Sequence, residues 1–292
     1  MKILFAITLF CLFPCWAFTQ TTPVAVTKVQ PLNFGITQVL PSKELGENRV
    51  INIHLPPGYN PEDTLTYPVI YIIDGGADED FFHIAGIVRY NNQPWINRFP
   101  PSIVVGIENV NRRRDCTFAV PDLDFLDRLG FDKAAFPAYG GSARYIAFLE
   151  RELIPFIAEK YKGVRERTII GESLAGLLAT EVLLRHRSLF DRYIIISPSL
   201  WWGNEQLLKA APELLKKPVE KSIAVYIAAA KKEEDVMMYD EATGLNEALQ
   251  QYGGSAIKVF YDYLPDELHS TMIHQAVYNA FKMMYPHTEY QH

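Results

Sequence analysis

Apolar residues follow two rhythms along this chain. Six short runs are almost continuously apolar: Pro68–Ile73, Ile103–Ile107, Thr168–Ile170, Tyr193–Ile196, Ile223–Ala230 and Ile257–Tyr263. From the second run onward, residues 142–161, 174–186, 204–216, 237–251 and 270–284 place apolar positions at helical spacing. Short continuous runs interleaved with helices predict strands buried on both faces, hence a mainly parallel sheet covered on each side. Ahead of them, residues 36–40 and 49–55 flank a Ser/Lys/Gly/Glu turn, and 49–55 alternates as a half-buried strand does before Pro56-Pro57-Gly58 ends it. His54 falls on a polar position of that strand and is expected at the surface. Ser142 is expected to cap the first long helix, and Gly253-Gly254 to close the fourth. The pattern thus predicts a doubly wound α/β domain with an antiparallel N-terminal edge hairpin. Residues 108–141 fit neither rhythm. An irregular segment that long is usually functional or disordered, and this one leaves the end of a strand where α/β sheets bind ligands.

One junction between the two rhythms carries chemistry. The run Arg167-Thr168-Ile169-Ile170 meets Gly171-Glu172-Ser173-Leu174-Ala175-Gly176, and a helix follows. Strand, Gly-x-Ser-x-small, helix is the order of a nucleophile elbow, in which small residues let strand and helix backbones approach while the serine is lifted out of the sheet. Gly-x-Ser alone arises by chance about once in a chain this long. The flanking strand and helix make the motif specific, with an ordinary strand-to-helix turn as the alternative. Ala175 stands where glycine is usual and adds only a methyl. Ser173 is the expected nucleophile, and the Leu174 amide an oxyanion donor.

Composition narrows the setting. Of 292 residues, 49% are apolar and 21% charged, an ordinary globular balance. A net charge of −6 argues against nucleic acid or anionic membrane as partners. Lys2, the apolar run Ile3–Phe13 and small residues near Ala17 describe a secretory signal peptide over residues 1–19, too short to span a membrane. Cleavage removes Lys2 and no other charge, taking the chain from −6 to −7. The expectation is an exported protein, periplasmic or secreted, without stable membrane insertion. A lipid anchor is disfavoured, because Phe13-Pro14 precedes Cys15. Residues 20–34 read as an extended lead-in and 35–292 as one domain. The cysteines are Cys11, Cys15 and Cys116, so the mature chain keeps one thiol, set in a polar turn, and forms no internal disulfide.

A serine nucleophile needs a base and an acid, and in this fold they follow in the order Ser, acid, His. His269 lies just past the last predicted strand and before the final helix, where the base is expected. His274 is one helical turn further on. After the penultimate strand comes Lys231-Lys232-Glu233-Glu234-Asp235; Glu233 is nearest the strand end, with Glu234 and Asp235 as alternatives for the acid. The glycine turn Asp74-Gly75-Gly76 suggests the Gly76 amide as second oxyanion donor, with Asp74 holding the turn.

Several motifs together resemble the esterase D-like "putative esterase" family of α/β-hydrolases: Asp74-Gly75-Gly76, Ile103–Ile107, Arg112–Asp115, the elbow, and Ser197-Pro198-Ser199-Leu200-Trp201-Trp202. The last is similar to the enterochelin (siderophore) esterase-like branch. This resemblance implies a Ser–His mechanism without metal or organic cofactor, acting on ester or lactone bonds of a catecholate-type siderophore. It also suggests that Arg113, Arg114, Trp201 and Trp202 contact a small-molecule ester; a surface turn for the arginines and core packing for the tryptophans are the alternatives. The other functional readings are a carbohydrate-linked acetyl or feruloyl esterase, an acyltransferase, and an inactive secreted binding domain.

Overall fold

The computed structural model describes residues 28–217 and 221–286. The expected signal peptide and the tail histidines His287 and His292 lie outside them. Contacts divide the chain into Met1–Asn33 and Phe34–His292; the second unit holds every element below.

Eight strands form one sheet in the order β1-β2-β4-β3-β5-β6-β7-β8. They are β1 (Ile36–Ser42), β2 (Glu47–His54), β3 (Val69–Ile73), β4 (Ile103–Ile107), β5 (Arg167–Glu172), β6 (Arg192–Ile196), β7 (Ile223–Ala229) and β8 (Ile257–Tyr263). β2 runs antiparallel to both β1 and β4, and every later pairing is parallel. This is the α/β-hydrolase arrangement with its antiparallel N-terminal hairpin at one edge. β3, β4 and β7 are buried along their whole length, which explains why they lack polar alternation.

Helices cover both faces. On one, α1 (Phe81–Asn91) and α9 (Ile273–Met284) bury Ile84, Ala85, Val88, Ala276, Val277 and Ala280 against Ile70, Ile72, Val104 and Ile194. On the other lie α4 (Ser142–Phe148), α5 (Ile154–Tyr161), α6 (Leu174–Arg185), α7 (Gln206–Leu215) and α8 (Val236–Tyr252). The π-helical turn Leu149–Leu153 joins α4 to α5. Ser142 is the first residue of α4 rather than its cap, and its hydroxyl donates to Glu181 Oε2 at 2.6 Å. Gly253 caps α8, and Gly254 takes a left-handed φ of 67°.

The 108–141 segment is ordered into α2 (Arg112–Asp115), α3 (Asp124–Arg128) and a 3₁₀ turn, Lys133–Ala135. Two residues read as surface groups are buried. His54 stacks on Phe34 and bonds through Nδ1 to the Phe34 carbonyl at 2.5 Å, and Cys116 lies in the core at 1% exposure.

Candidate active site

β5 ends at Glu172 and α6 begins at Leu174, leaving Ser173 to make the whole reversal at φ 58° and ψ −121°. A non-glycine residue at positive φ is strained, and the surroundings must hold it. Here Ser173 N–H donates to Ile196 O at 3.0 Å, and its carbonyl accepts from Ser199 N–H at 3.0 Å. Close packing explains the small neighbours. A Cβ on Gly171 would stand 2.3 Å from the Ala175 carbonyl oxygen, and one on Gly176 3.0 Å from Pro198 Cα. Ala175 is fully buried, so its methyl fits where glycine is usual.

The loop after β6 organises the rest. Ser197, at φ 37° and 2% exposed, lies 2.9 Å through Oγ from His269 Nδ1. Two residues on, Ser199 Oγ lies 3.2 Å from Ser173 Oγ. A single Ser-Pro-Ser segment therefore touches both the elbow serine and the imidazole, and two residues of chain span at most about 7 Å. With Nδ1 turned to Ser197, Nε2 is the ring nitrogen that this bond does not engage. Burial lowers the His269 pKa from its usual value; Glu234 and Asp235 pull it back up, and Arg112 lowers it further.

The three acid candidates sit differently. Glu234 Oε2 accepts from the His269 backbone N–H at 2.6 Å. Asp235 caps α8, accepting from Met238 N–H at 3.0 Å. Glu233, the first choice from sequence, is exposed and bonds to nothing among the described residues. His269 Nδ1 meets the Ser197 hydroxyl instead.

Beneath the elbow lies a charged brace that sequence reasoning missed. Arg112 grips Asp74 with Nε at 2.9 Å to both carboxylate oxygens and Nη2 at 2.8 Å, and reaches the Glu172 carbonyl at 3.2 Å. Burial opposes the Arg112 charge, but Asp74 more than offsets this and holds it protonated. Asn109 donates to Asp74 at 2.6 Å and to Glu79 at 2.8 Å. Glu172 itself is pushed up to about 8, first by burial and then by Asp80 and Asp74, with Arg112 opposing. The signal for Arg112 was its place in the Arg-Arg-Arg-Asp run, where nothing distinguishes it from its neighbours.

Four expected contacts need correction. Gly76 N–H donates to Glu79 Oε2 at 2.6 Å, so this amide serves its own loop rather than an open oxyanion site. Arg114 bonds Glu47 at 2.5 and 3.1 Å and Asp115 at 2.7 Å, which makes it part of a structural ion cluster. Trp202 is fully buried, its indole N–H donating to Phe118 O at 2.9 Å, and it cannot face a ligand. Trp201 is only 6% exposed and stacks on Phe131 at 4.6 Å. Arg113 is exposed, its guanidinium 5.2 Å from the centre of the Phe136 ring, and Leu174 follows Ser173 as expected.

Known proteins match this arrangement. The family described as "Putative esterase" matches residues 42–282. The chain belongs to this family. The esterase is 29% identical over 259 residues to the ferri-bacillibactin esterase BesA of Bacillus subtilis (strain 168), covering 84% of this chain and 88% of BesA. Among solved structures it is similar to an IroE-like serine hydrolase from Shewanella oneidensis, with TM-score 0.78 and 27% identity over 86% of this chain and 80% of that one. The BES protein from Bacillus cereus shares the fold at TM-score 0.75 and 24% identity, over 89% of this chain and 99% of that one. The protein is a carboxylic ester hydrolase of the enterochelin esterase-like group.

Proposed function

We propose that this esterase is exported and hydrolyses ester or lactone bonds of a catecholate-type siderophore through Ser173 and His269. The observation that carries the mechanism is the shared loop: Ser197 and Ser199, two residues apart, engage His269 and Ser173 respectively. Ser173 Oγ attacks the ester carbonyl while His269 Nε2 takes its proton, with Nδ1–H donating to Ser197 Oγ. The Leu174 amide, at the N-terminus of α6, stabilises the oxyanion. His269 then returns the proton to the leaving alcohol, and a water activated in the same way releases the acyl group. Glu234 adds negative charge at the base of the His269 loop and supports the imidazolium that forms in each step. Arg113 is the exposed cation left to meet an anionic substrate oxygen. The siderophore substrate rests on the relatives' activity, and export on the sequence of residues 1–19.

A fluorophosphonate probe tests the mechanism. Wild-type protein is expected to take one equivalent and S173A none; no label on wild type, or equal label on both, overturns the serine assignment. Hydrolysis of catechol-serine lactones, feruloyl sugars and short acyl esters tests the substrate, and equal or faster turnover of the sugars would remove the siderophore reading.

A further inference from the structure

A second constellation lies outside the Ser173 machinery. Asp80 stands at the N-terminus of α1, His83 follows three residues later on the same helix face, and His274 is the second residue of α9. Their ligand atoms all lie within 4.8 Å of one another. His274 Nε2 is 3.1 Å from Asp80 Oδ1, and the two imidazoles are 4.2 Å apart between ring centres. Ligands of a tetrahedral zinc ion, with bonds of about 2.0–2.1 Å, stand about 3.3 Å from each other. One edge of such a tetrahedron is therefore already in place, and the other ligand pairs lie within 4.8 Å.

The backbone beneath is firm. α1 and α9 pack through Ile84, Ala85, Val88, Ala276, Val277 and Ala280 on one face of the sheet. Asp80 N–H is tied to Asp74 O at 3.2 Å. His83 is exposed and the other two are half-buried, so an ion has a path from solvent and room for a water ligand.

We propose that Asp80, His83 and His274 form a binding site for a borderline divalent transition-metal ion of the zinc class, clamping α1 to α9. Two imidazole nitrogens and one carboxylate oxygen select that class over magnesium or calcium, which prefer oxygen ligands throughout. The site is separate from ester hydrolysis and stands whatever ester the enzyme cleaves.

Calorimetric titration of the full chain with Zn²⁺ tests it, with Co²⁺ as a spectroscopic probe of four-coordinate nitrogen and oxygen ligation. One equivalent is expected to bind, raising the unfolding temperature by several degrees at saturating metal. Affinity falls by about 10–100-fold or more in D80N, H83A and H274A, while H186A and the tail variant H287A/H292A bind as wild type. Metal-free H83A keeps wild-type esterase activity. Absence of binding at millimolar Zn²⁺, or equal affinity in wild type and all three ligand variants, overturns the site. H83A removes an exposed side chain, so it reads out binding even where D80N or H274A disturbs the fold.

Discussion

Gly171 shows how much of the site is decided at single residues. Its missing side chain is required by the Ala175 carbonyl, 2.3 Å from where a Cβ would stand, so G171A must displace either β5 or the start of α6. A misplacement near 1 Å costs about 100-fold in catalysis; kcat of G171A is expected to fall by at least that much, and a turnover assay on a short acyl ester checks it. His269 is legible in the sequence because it sits in one place, after the last strand. Its partner is not, since a serine 72 residues away takes Nδ1 while three carboxylates next to each other in sequence looked more promising. Burial lowers the His269 pKa and Glu234 raises it. In the proposed mechanism protonated imidazole cannot accept the Ser173 proton, so kcat/KM is expected to decline on the acid side with a midpoint below 6.5, the ordinary value for histidine. E234Q removes a charge that favours the imidazolium and is expected to move this limb to still lower pH, whereas E233Q leaves it in place. S197A removes one hydrogen bond of about 1 kcal/mol, expected as a five- to tenfold loss in kcat.

At the scale of elements, strands declared themselves, while α1 and the short α2 and α3 did not. Parallel strands leave short apolar runs bounded by polar residues, and all six were placed within two residues. α1 was missed because Phe82 and Tyr90 put apolar residues on its outer face, Gly86 interrupts it, and Asp80 makes no side-chain cap bond. Its helical period is blurred although Phe81, Ile84, Ala85 and Val88 line one face. The 108–141 segment hid a different kind of order. Arg49 on β2 is completely buried, bonded to Asp115 at the end of α2 and to Glu47 at 2.8 Å, and Arg114 closes the cluster on the same two acids. Polar residues in an unpatterned stretch carry no mark of burial, since their partners lie on other elements. Removing Asp115 leaves the buried Arg49 with Glu47 as its remaining acid in this cluster. D115A is expected to lose about 3–5 kcal/mol of stability, measured by urea unfolding, with the loss concentrated in the hairpin and α2 by hydrogen exchange.

Across the whole molecule, the esterase carries carboxyl groups that resist ionising, and this sets how its stability depends on pH. Glu241 on α8 is 2% exposed and is pushed up to about 8 by burial; Glu172, at the end of β5, is raised to about the same value. Both release their protons near 4.5 in the unfolded chain. Between about 4.5 and 8 the folded protein therefore holds protons that the unfolded chain has lost, and stability falls as pH rises. Two histidines act in the opposite sense over the lower part of that range. His54 and His269 are both lowered by burial, so below about 6.5 the unfolded chain binds more protons, and stability rises with pH there. The two effects offset each other just below pH 6.5, and the raised glutamates dominate above it. Unfolding free energy is expected to decline from pH 6.5 to 8.5, by a few kcal/mol at most, since each pKa unit is worth about 1.4 kcal/mol before relaxation and solvent entry reduce it. E241Q keeps the shape of the protonated group without its proton. Its stability should match wild type only below about pH 4.5, exceed it already at pH 6 and by more at pH 8.5, with a flatter slope between. Denaturant titrations of both proteins at pH 6, 7 and 8.5 measure this, and parallel slopes would mean that Glu241 ionises in the folded state as it does in water.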